Sequence, residues 1–302
     1  MVIYQRTDEK NREFANAKGN QTKIHLADSW FKIDFLGYEG AAEMAVSELL
    51  KKSNLSCFVS YKMEDIHHDD ITEHGCVSKN FKPEECEIYT LEQLFQLFTG
   101  SGSNAFMDNK SILDCIRDTI DFIEDITGLE HVGEYLTTLL EIDAIVLNED
   151  RHTNNIAFLC DENGKFSFCP IFDNGDSFLS DCQYKHPNGN ELVHSKPFSM
   201  NFETQVGIFE RLYGKQLQLT DTELISPKLL SKIEEIYGKH VAERMESVAL
   251  KQKEKAEIYV TPKECFHSPL WESGVSRECK ELLEGKEKWI SIFKESSDYE
   301  KD

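Results

Sequence analysis

Nowhere does this sequence carry a run approaching the roughly 18 apolar residues that a membrane-crossing helix needs, so no membrane span is expected. The opening stretch 1–10 contains Tyr4, Gln5, Arg6, Asp8 and Glu9 and has no apolar core, so no secretory signal peptide is expected either. Basic residues are scarce: 33 Lys and Arg stand against 55 Asp and Glu, a formal net charge of −22. Nucleic acid and anionic membrane both demand a positive surface, so neither is expected as a main partner. No Cys-x-x-Cys occurs, and 9 cysteines are an odd number in a chain without a signal. Reduced thiols and a cytoplasmic location follow as expectations. Cys182, His186 and His194 match the spacing of no common zinc site, and His67-His68-Asp69-Asp70 reads as a solvated loop. Internal repeats and low-complexity blocks are also missing.

What is present is enough for a sizeable core: 302 residues, 40% of them hydrophobic, suit one large domain or two lobes. A Gly-containing turn at 16–23 leads into an apolar run. In the strand that follows, Phe31, Ile33 and Phe35 share one face, and Trp30, Lys32 and Asp34 the other. Lys32 therefore leaves the more apolar side, and its truncation would spare that packing. A helix over 39–52 has Ala42, Ala45, Val46, Leu49 and Leu50 as an apolar stripe, with Glu43 at its flank. A carboxylate there can meet the strand lysine. Further strands are predicted over 57–63 and 75–81 around a charged loop at 64–73, and 82–85 reads as a linker.

Beyond the linker the pattern turns helical. Thr90 is a candidate N-cap for a helix over 91–98 that Gly100 stops; 101–109 is a polar loop. Helices follow over 111–126, with Ile112, Ile116, Ile120 and Ile123 on one face, and over 130–147. After Asp173, residues 174–196 read as a long functional or mobile loop. Helices resume over 202–212, 227–237 and 241–259, Pro262 breaks the last, and a final helix over 276–293 precedes a charged tail at 296–302.

The chemistry concentrates in Asn148-Glu149-Asp150-Arg151-His152-Thr153-Asn154-Asn155 and in Phe172-Asp173. Apolar runs flank Asn163-Gly164 between them, which predicts a β-hairpin. A two-residue turn would pair residues whose numbers sum to 327, setting Asn155 against Phe172 with Asp173 beside it. One Asp to orient a hydroxyl, with an Asn and an Asp to hold Mg²⁺, is the set that phosphoryl transfer by kinases requires.

The order of glycine turn, strand lysine, helix glutamate, linker, helices, Asp-x-x-x-x-Asn and Asp resembles the protein-kinase-like superfamily, and within it the HipA-like serine/threonine kinases. Gly19-x-Gln21-x-Lys23 is similar to their glycine turn, Lys32 to their nucleotide lysine, and 43–55 to their helix. Asp150-x-His152-x-x-Asn155 is similar to their catalytic loop and Pro170-x-Phe172-Asp173 to their metal motif. The resemblance implies an α+β, bilobal protein-kinase-like fold, with a small β-rich N-lobe over 1–84, a larger helical C-lobe over 85–302, and ATP between them. Asp150 would accept the proton of the acceptor hydroxyl, and Asn155 and Asp173 would hold Mg²⁺. Lys32, held by Glu43, would contact phosphate oxygens, and Lys79, Asn80 and Phe81 would form the hinge facing adenine. Nucleotide contacts are further implied at Lys18, Gly19, Asn20, Gln21, Thr22, Lys23 and His152, the last supporting the loop because neutral imidazole suits magnesium poorly. Asn16 stands where the family has an autophosphorylated serine, and the stretch before Gly19 is shorter than the extra N-terminal subdomain of HipA toxins.

Three readings stay open on the sequence: a protein Ser/Thr kinase that also phosphorylates itself, a phosphoinositide-type lipid kinase (Asp-Arg-His-x-x-Asn resembles these too), and a pseudokinase-like interaction protein. The first is favoured, with a protein acceptor and, by resemblance, a bacterial effector's delivery into host cells and action on host signalling proteins. A lipid kinase needs basic residues on the acceptor side, and 174–194 holds Lys185 as its only Lys or Arg.

Overall fold

The computed structural model describes residues 2–4, 21–68, 71–182, 196–198 and 200–273. Asn16, Lys18, Gly19, Asn20, Asp69, Asp70, Lys185, His186, His194, the helix expected over 276–293 and the tail lie outside these residues. The fold is mixed α/β, with a small sheet region followed by a mainly helical part.

The sheet has five strands in the order β1-β4-β5-β3-β2, with β1 (Val2–Tyr4), β2 (Lys23–Leu26), β3 (Ser29–Ile33), β4 (Tyr61–His68) and β5 (Ile71–Lys79). All neighbours run antiparallel except β1, which lies parallel on β4. Its two faces bury different sets. Phe31, Ile33 and Ile66 cluster on one. Lys32 faces the other; there it pairs across to Cys76, which pairs to Met63. Helix α1 (Glu39–Leu50) packs against β4 and β5. The approach is very close: an ideal Cβ on Gly40 would lie 2.5 Å from the Gly75 carbonyl carbon, and one on Gly75 would lie 2.0 Å from the Lys32 carbonyl oxygen. Only glycine admits this contact.

Three expectations need correction here. The charged stretch expected as a loop over 64–73 is strand at 64–68 and at 71–73, and the strand expected from 57 begins at Tyr61. Strand β4 is paired on both sides, with β1 and with β5, and its Glu64 and Asp65 are only partly buried, so their charges do not break it. Phe35 lies past the end of β3 and is exposed, so it does not share the packing of Phe31 and Ile33.

The helical part carries β6 (Cys86–Thr90), α2 (Leu91–Thr99), α3 (Ser103–Met107), α4 (Ile112–Thr127), α5 (Val132–Val146), β7 (Ala157–Asp161), β8 (Phe166–Phe168), α6 (Phe202–Tyr213), α7 (Pro227–Tyr237) and α8 (Lys239–Glu257). Thr90 ends β6 and caps α2 with a full capping box, and Gly100 closes that helix at φ 71°. The expected linker at 82–85 stands and runs directly into β6, while the short helix α3 interrupts the expected polar loop. Ser111 caps α4, whose Ile116, Ile120 and Ile123 are buried while Ile112 is exposed. Helix α5 is buried along its whole length and packs against α4, α6 and α8. The largest apolar cluster runs without interruption from α1 through α2, α4, α5, β7 and α6 to Trp271.

Strands β6-β7-β8 form a second, antiparallel sheet. In the β7–β8 hairpin Phe158 faces Phe168 and Cys160 faces Phe166, one residue off the register expected from a two-residue turn. The loop is longer: Asp161 and Lys165 close it, Gly164 is left-handed at φ 76°, and the Asp161 carboxylate accepts from the Asn163 and Lys165 amides. That is a turn followed by a left-handed residue, the common three-residue hairpin. Asn155 consequently lies in a 3-10 turn (Thr153–Asn155) and not opposite Phe172.

Candidate active site

Lys32 is buried, and its ammonium lies between two carboxylates. It bonds to Glu43 Oε1 of α1 and sits 2.7 Å from Asp173 Oδ1. The Tyr61 ring centroid is 5.0 Å away. Lys23, on β2, reaches the other Asp173 oxygen at 3.5 Å. Two ammoniums thus neutralise two carboxylates in a space largely closed to water. Burial works against the Lys32 charge, but Asp173 and then Glu43 outweigh it and hold its pKa well above the usual lysine range. Burial likewise opposes ionisation of Asp173; Lys32 and then Lys23 overcome that and hold its carboxyl well below the usual range. Glu43 shares Lys32 with Asp173, so burial prevails there and pushes its carboxyl up.

From this cluster a continuous hydrogen-bond path leads to the catalytic-loop candidates. Glu43 Oε2 accepts from the Asn174 amide at 2.9 Å. The Asn174 side-chain oxygen accepts from Arg151 Nη2 at 2.6 Å. Arg151 is fully buried and meets Asp143 of α5 side-on, with Nε and Nη2 each 3.0 Å from a carboxylate oxygen. Its Nη1 donates to the carbonyls of Asn155, at 3.2 Å, and Phe172, at 2.8 Å. One guanidinium therefore ties the turn carrying Asn155 to the backbone next to Asp173. The planar fork of Arg suits such multiple recognition.

Helix α5 ends at Leu147, whose left-handed φ of 58° turns the chain into 148–155. Asn148 donates to Asp143 and accepts from the Asp150 amide. Asn155 Nδ2 donates to the Asp150 carbonyl at 2.8 Å, which points its amide oxygen the other way. Thr153 donates to Glu92 of α2 at 2.7 Å. His152 caps the turn through Nδ1, and its Nε2 lies 3.5 Å from Asp150 Oδ2. Asp150 Oδ1 faces Lys196 at 2.6 Å. Asp173 itself is left-handed at φ 58°, as are Phe178 and Leu179 at φ 54° and 56°. Non-glycine residues in this region carry strain, which collects at functional sites.

Lys32, Glu43 and Asp173 thus meet directly. Asp150 and Asn155 share one loop, and that loop is joined to them through Arg151. Lys23 and His152 lie in the same neighbourhood. Asn80 accepts from Trp30 Nε1 at 3.3 Å, and Phe81 packs on Phe172 with ring centroids 5.6 Å apart. Both rings border the apolar clusters of Val59, Tyr61 and Cys76 and of Ala157, Leu159 and Cys169. Lys79 ends β5, exposed. Gln21 and Thr22 precede β2, and Thr22 receives the Ile33 amide. Sequence reasoning passed over Asp143, Asn174, Glu92 and Lys196 and gave Arg151 no role. The signal for Asp143 was legible: a carboxylate inside the apolar run of α5 needs a buried partner.

Among the described residues no group of three or more His, Cys, Asp or Glu side chains is arranged to hold a metal. The donors present instead are one ionised carboxylate, Asp173, and one amide oxygen, Asn155. That pair suits Mg²⁺, which is bound through one or two carboxylates and otherwise by phosphates and water.

The fold that carries this cluster is kinase-like. The chain is similar to the solved structure of a Helicobacter pylori proinflammatory kinase, CtkA, at 13% identity and a TM-score of 0.51, over 78% of this chain and 90% of that one. No protein-family model and no curated protein matches the sequence.

Proposed function

We propose that this protein is an ATP- and Mg²⁺-dependent protein serine/threonine kinase with a bilobal arrangement that places nucleotide between the sheet region and the helical part. One observation carries the reading: Lys32 contacts both Glu43 and Asp173, and the Asn174–Arg151 path joins that cluster to the loop of Asp150 and Asn155. The fold shared with a solved kinase supports the same reading.

Lys32, fixed by Glu43, would bind phosphate oxygens of ATP. Asp173 and the Asn155 amide oxygen would hold Mg²⁺, which when bound neutralises phosphate charge. Asp150 would accept the proton of the acceptor hydroxyl as the bond to phosphorus forms. Phe81 and Phe172, with the apolar side chains they border, would take the adenine face. The acceptor is a protein Ser or Thr, on the enzyme itself or on a partner. Residues 174–182, directly after Asp173, hold no Lys or Arg but include Asp176 and Asp181, an environment unsuited to a multiply anionic headgroup. The H. pylori protein's description as proinflammatory makes host signalling proteins the acceptors to try first.

Labelled ATP with Mg²⁺ and mixed protein and lipid acceptors tests this. Wild type is expected to label protein. Asp150→Asn is expected to lower turnover by about two or more orders of magnitude with nucleotide affinity kept, and Asp173→Ala to weaken the Mg²⁺-dependent thermal stabilisation by ATP. Transfer to phosphatidylinositol vesicles alone would favour a lipid kinase; no thermal shift with saturating ATP and Mg²⁺ would refute nucleotide binding.

A further inference from the structure

Lys196 belongs to none of the sequence motifs, yet it is the cation that meets Asp150. Its Nζ lies 2.6 Å from Asp150 Oδ1, and its side chain is 45% exposed. The backbone behind it is fixed by Gln205 of α6, which is fully buried. Gln205 Nε2 donates to the Lys196 carbonyl at 3.0 Å, and Gln205 Oε1 accepts from the Phe198 amide at 3.2 Å. Phe198 is buried and packs on Phe209 at a centroid distance of 5.6 Å. A buried amide that spends both ends on one three-residue segment holds that segment in place, because losing either bond leaves a buried polar group without a partner. Lys196 also opposes, electrostatically, the burial and the neighbouring carboxylates that push Glu149 and Asp176 up to about 7. Glu149, Asp150, Asp176 and Asp181 would otherwise repel an incoming triphosphate.

We propose that Lys196 is a further catalytic residue: its ammonium donates to an oxygen of the γ-phosphoryl group while Asp150 takes the acceptor's proton. The inference rests on the kinase reading above. An acceptor hydroxyl engaged by Asp150 lies about 3 Å from that carboxylate, and the Lys196 ammonium is hydrogen-bonded to the same carboxylate. The phosphorus under attack therefore comes within the sweep of Nζ without any movement of the backbone that Gln205 holds. An ammonium has three N–H donors and can serve carboxylate and phosphoryl oxygen together. In the step, the acceptor O–P bond forms, the bond from phosphorus to the ADP oxygen breaks, and the hydroxyl proton passes to Asp150. Lys196 keeps its proton and offsets charge spread over the three phosphoryl oxygens. Gln205 is the positioning residue, acting through Lys196.

The test compares Lys196→Met, Lys196→Arg, Gln205→Leu and the Lys196→Met/Gln205→Leu double variant in the full chain. Turnover is measured, and ATP and ADP affinities with Mg²⁺ are read by calorimetry. Lys196→Met is expected to lower kcat by about 10²-fold or more, the usual effect of removing one donor to transition-state charge, and to leave ADP affinity unchanged. Lys196→Arg should restore part of the rate. The double variant should be no slower than Lys196→Met, because Gln205 acts through the lysine. Wild-type kcat in Lys196→Met overturns the proposal, and so does a faster one, which would make the ammonium a plug on Asp150. If wild type binds Mg-ATP and transfers phosphate to no acceptor, the kinase reading fails at transfer and the affinities decide for Lys196. Loss of the ATP-over-ADP preference in Lys196→Met then supports the phosphoryl contact, and a preserved preference refutes it. If wild type binds neither nucleotide, both readings fall.

Discussion

Breaking the Arg151–Asp143 pair tests how far the site depends on one buried guanidinium. Both side chains are fully buried. Arg151→Met leaves Asp143 with the Asn148 amide alone and removes the donor from the Asn155 and Phe172 carbonyls and from the Asn174 side chain. Asp143→Leu leaves the guanidinium with those three neutral oxygens and without its hydrogen-bonded counter-charge. Removing one member of a buried pair costs about 3–5 kcal/mol, and at about 2–4 °C per kcal/mol for a chain of this size each single variant should melt roughly 6–20 °C lower. The double variant Arg151→Met/Asp143→Leu buries no lone charge, so its loss should be clearly smaller than the two single losses added together. Binding should not follow stability. In the double variant nothing joins Asn155 to the backbone beside Asp173, so Mg²⁺-dependent nucleotide affinity should stay weak while the melting temperature recovers. Thermal melts with calorimetric titration of Mg-ATP read both quantities. Unchanged melting in the single variants would refute the energetic argument; wild-type nucleotide affinity in the double variant would refute the clamp.

Lys32→Ala is expected to destabilise as well as inactivate, although it leaves the Phe31 and Ile33 face untouched. It strands Glu43 and Asp173 in a buried site with Lys23 as the remaining ion-pair partner of Asp173, a loss of about 3–5 kcal/mol. The deficit should shrink at lower pH as the abandoned carboxylates protonate, and denaturant melts at two pH values would show it; a pH-independent loss would count against the charge argument. A second expectation concerns wild type. Burial raises Asp34, Glu149 and Asp176 to about 7 and Glu141 to about 8. Each binds its proton more tightly folded than unfolded, so its contribution is complete below the ordinary carboxylate range near pH 4 and is lost as pH rises through about 7 to 8. Asp173 works in the opposite sense, but its folded-state value is so low that its contribution stays whole across that window. The melting temperature should therefore rise as pH falls from about 8 to 6. Glu141→Gln, which keeps an oxygen to accept the Gln216 and Leu217 amides, should flatten the slope; a flat wild-type profile would refute the assignment.

Much of the local structure was written in the sequence, because it follows from neighbouring residues. Thr90 and Gly100 bound α2, Ser111 begins α4, and Pro227 and Gly238 bracket α7 through their own side chains or backbone freedom. The order of lysine, glutamate, loop and aspartate was equally legible, since motif spacing is a property of the chain. Tertiary structure alone decided what those residues touch. A strand's alternation separates Lys32 from Phe31 and Ile33 but does not say that α1 covers the lysine's face; Gly40 against Gly75 does that, across 35 residues. The hairpin register turned on an Asp161 side chain bonding within its own loop, which displaced pairing by one residue and left Asn155 in a 3-10 turn. Arg151 sat in the motif from the start, but its role depends on Asp143, Asn174 and two carbonyls that only folding assembles. Lys196 and Gln205 lie further still from any motif. Sequence fixes which groups are available and their local conformations. Which charges are buried together, and so which can be strong, is set by packing between distant segments, because desolvation belongs to the whole fold.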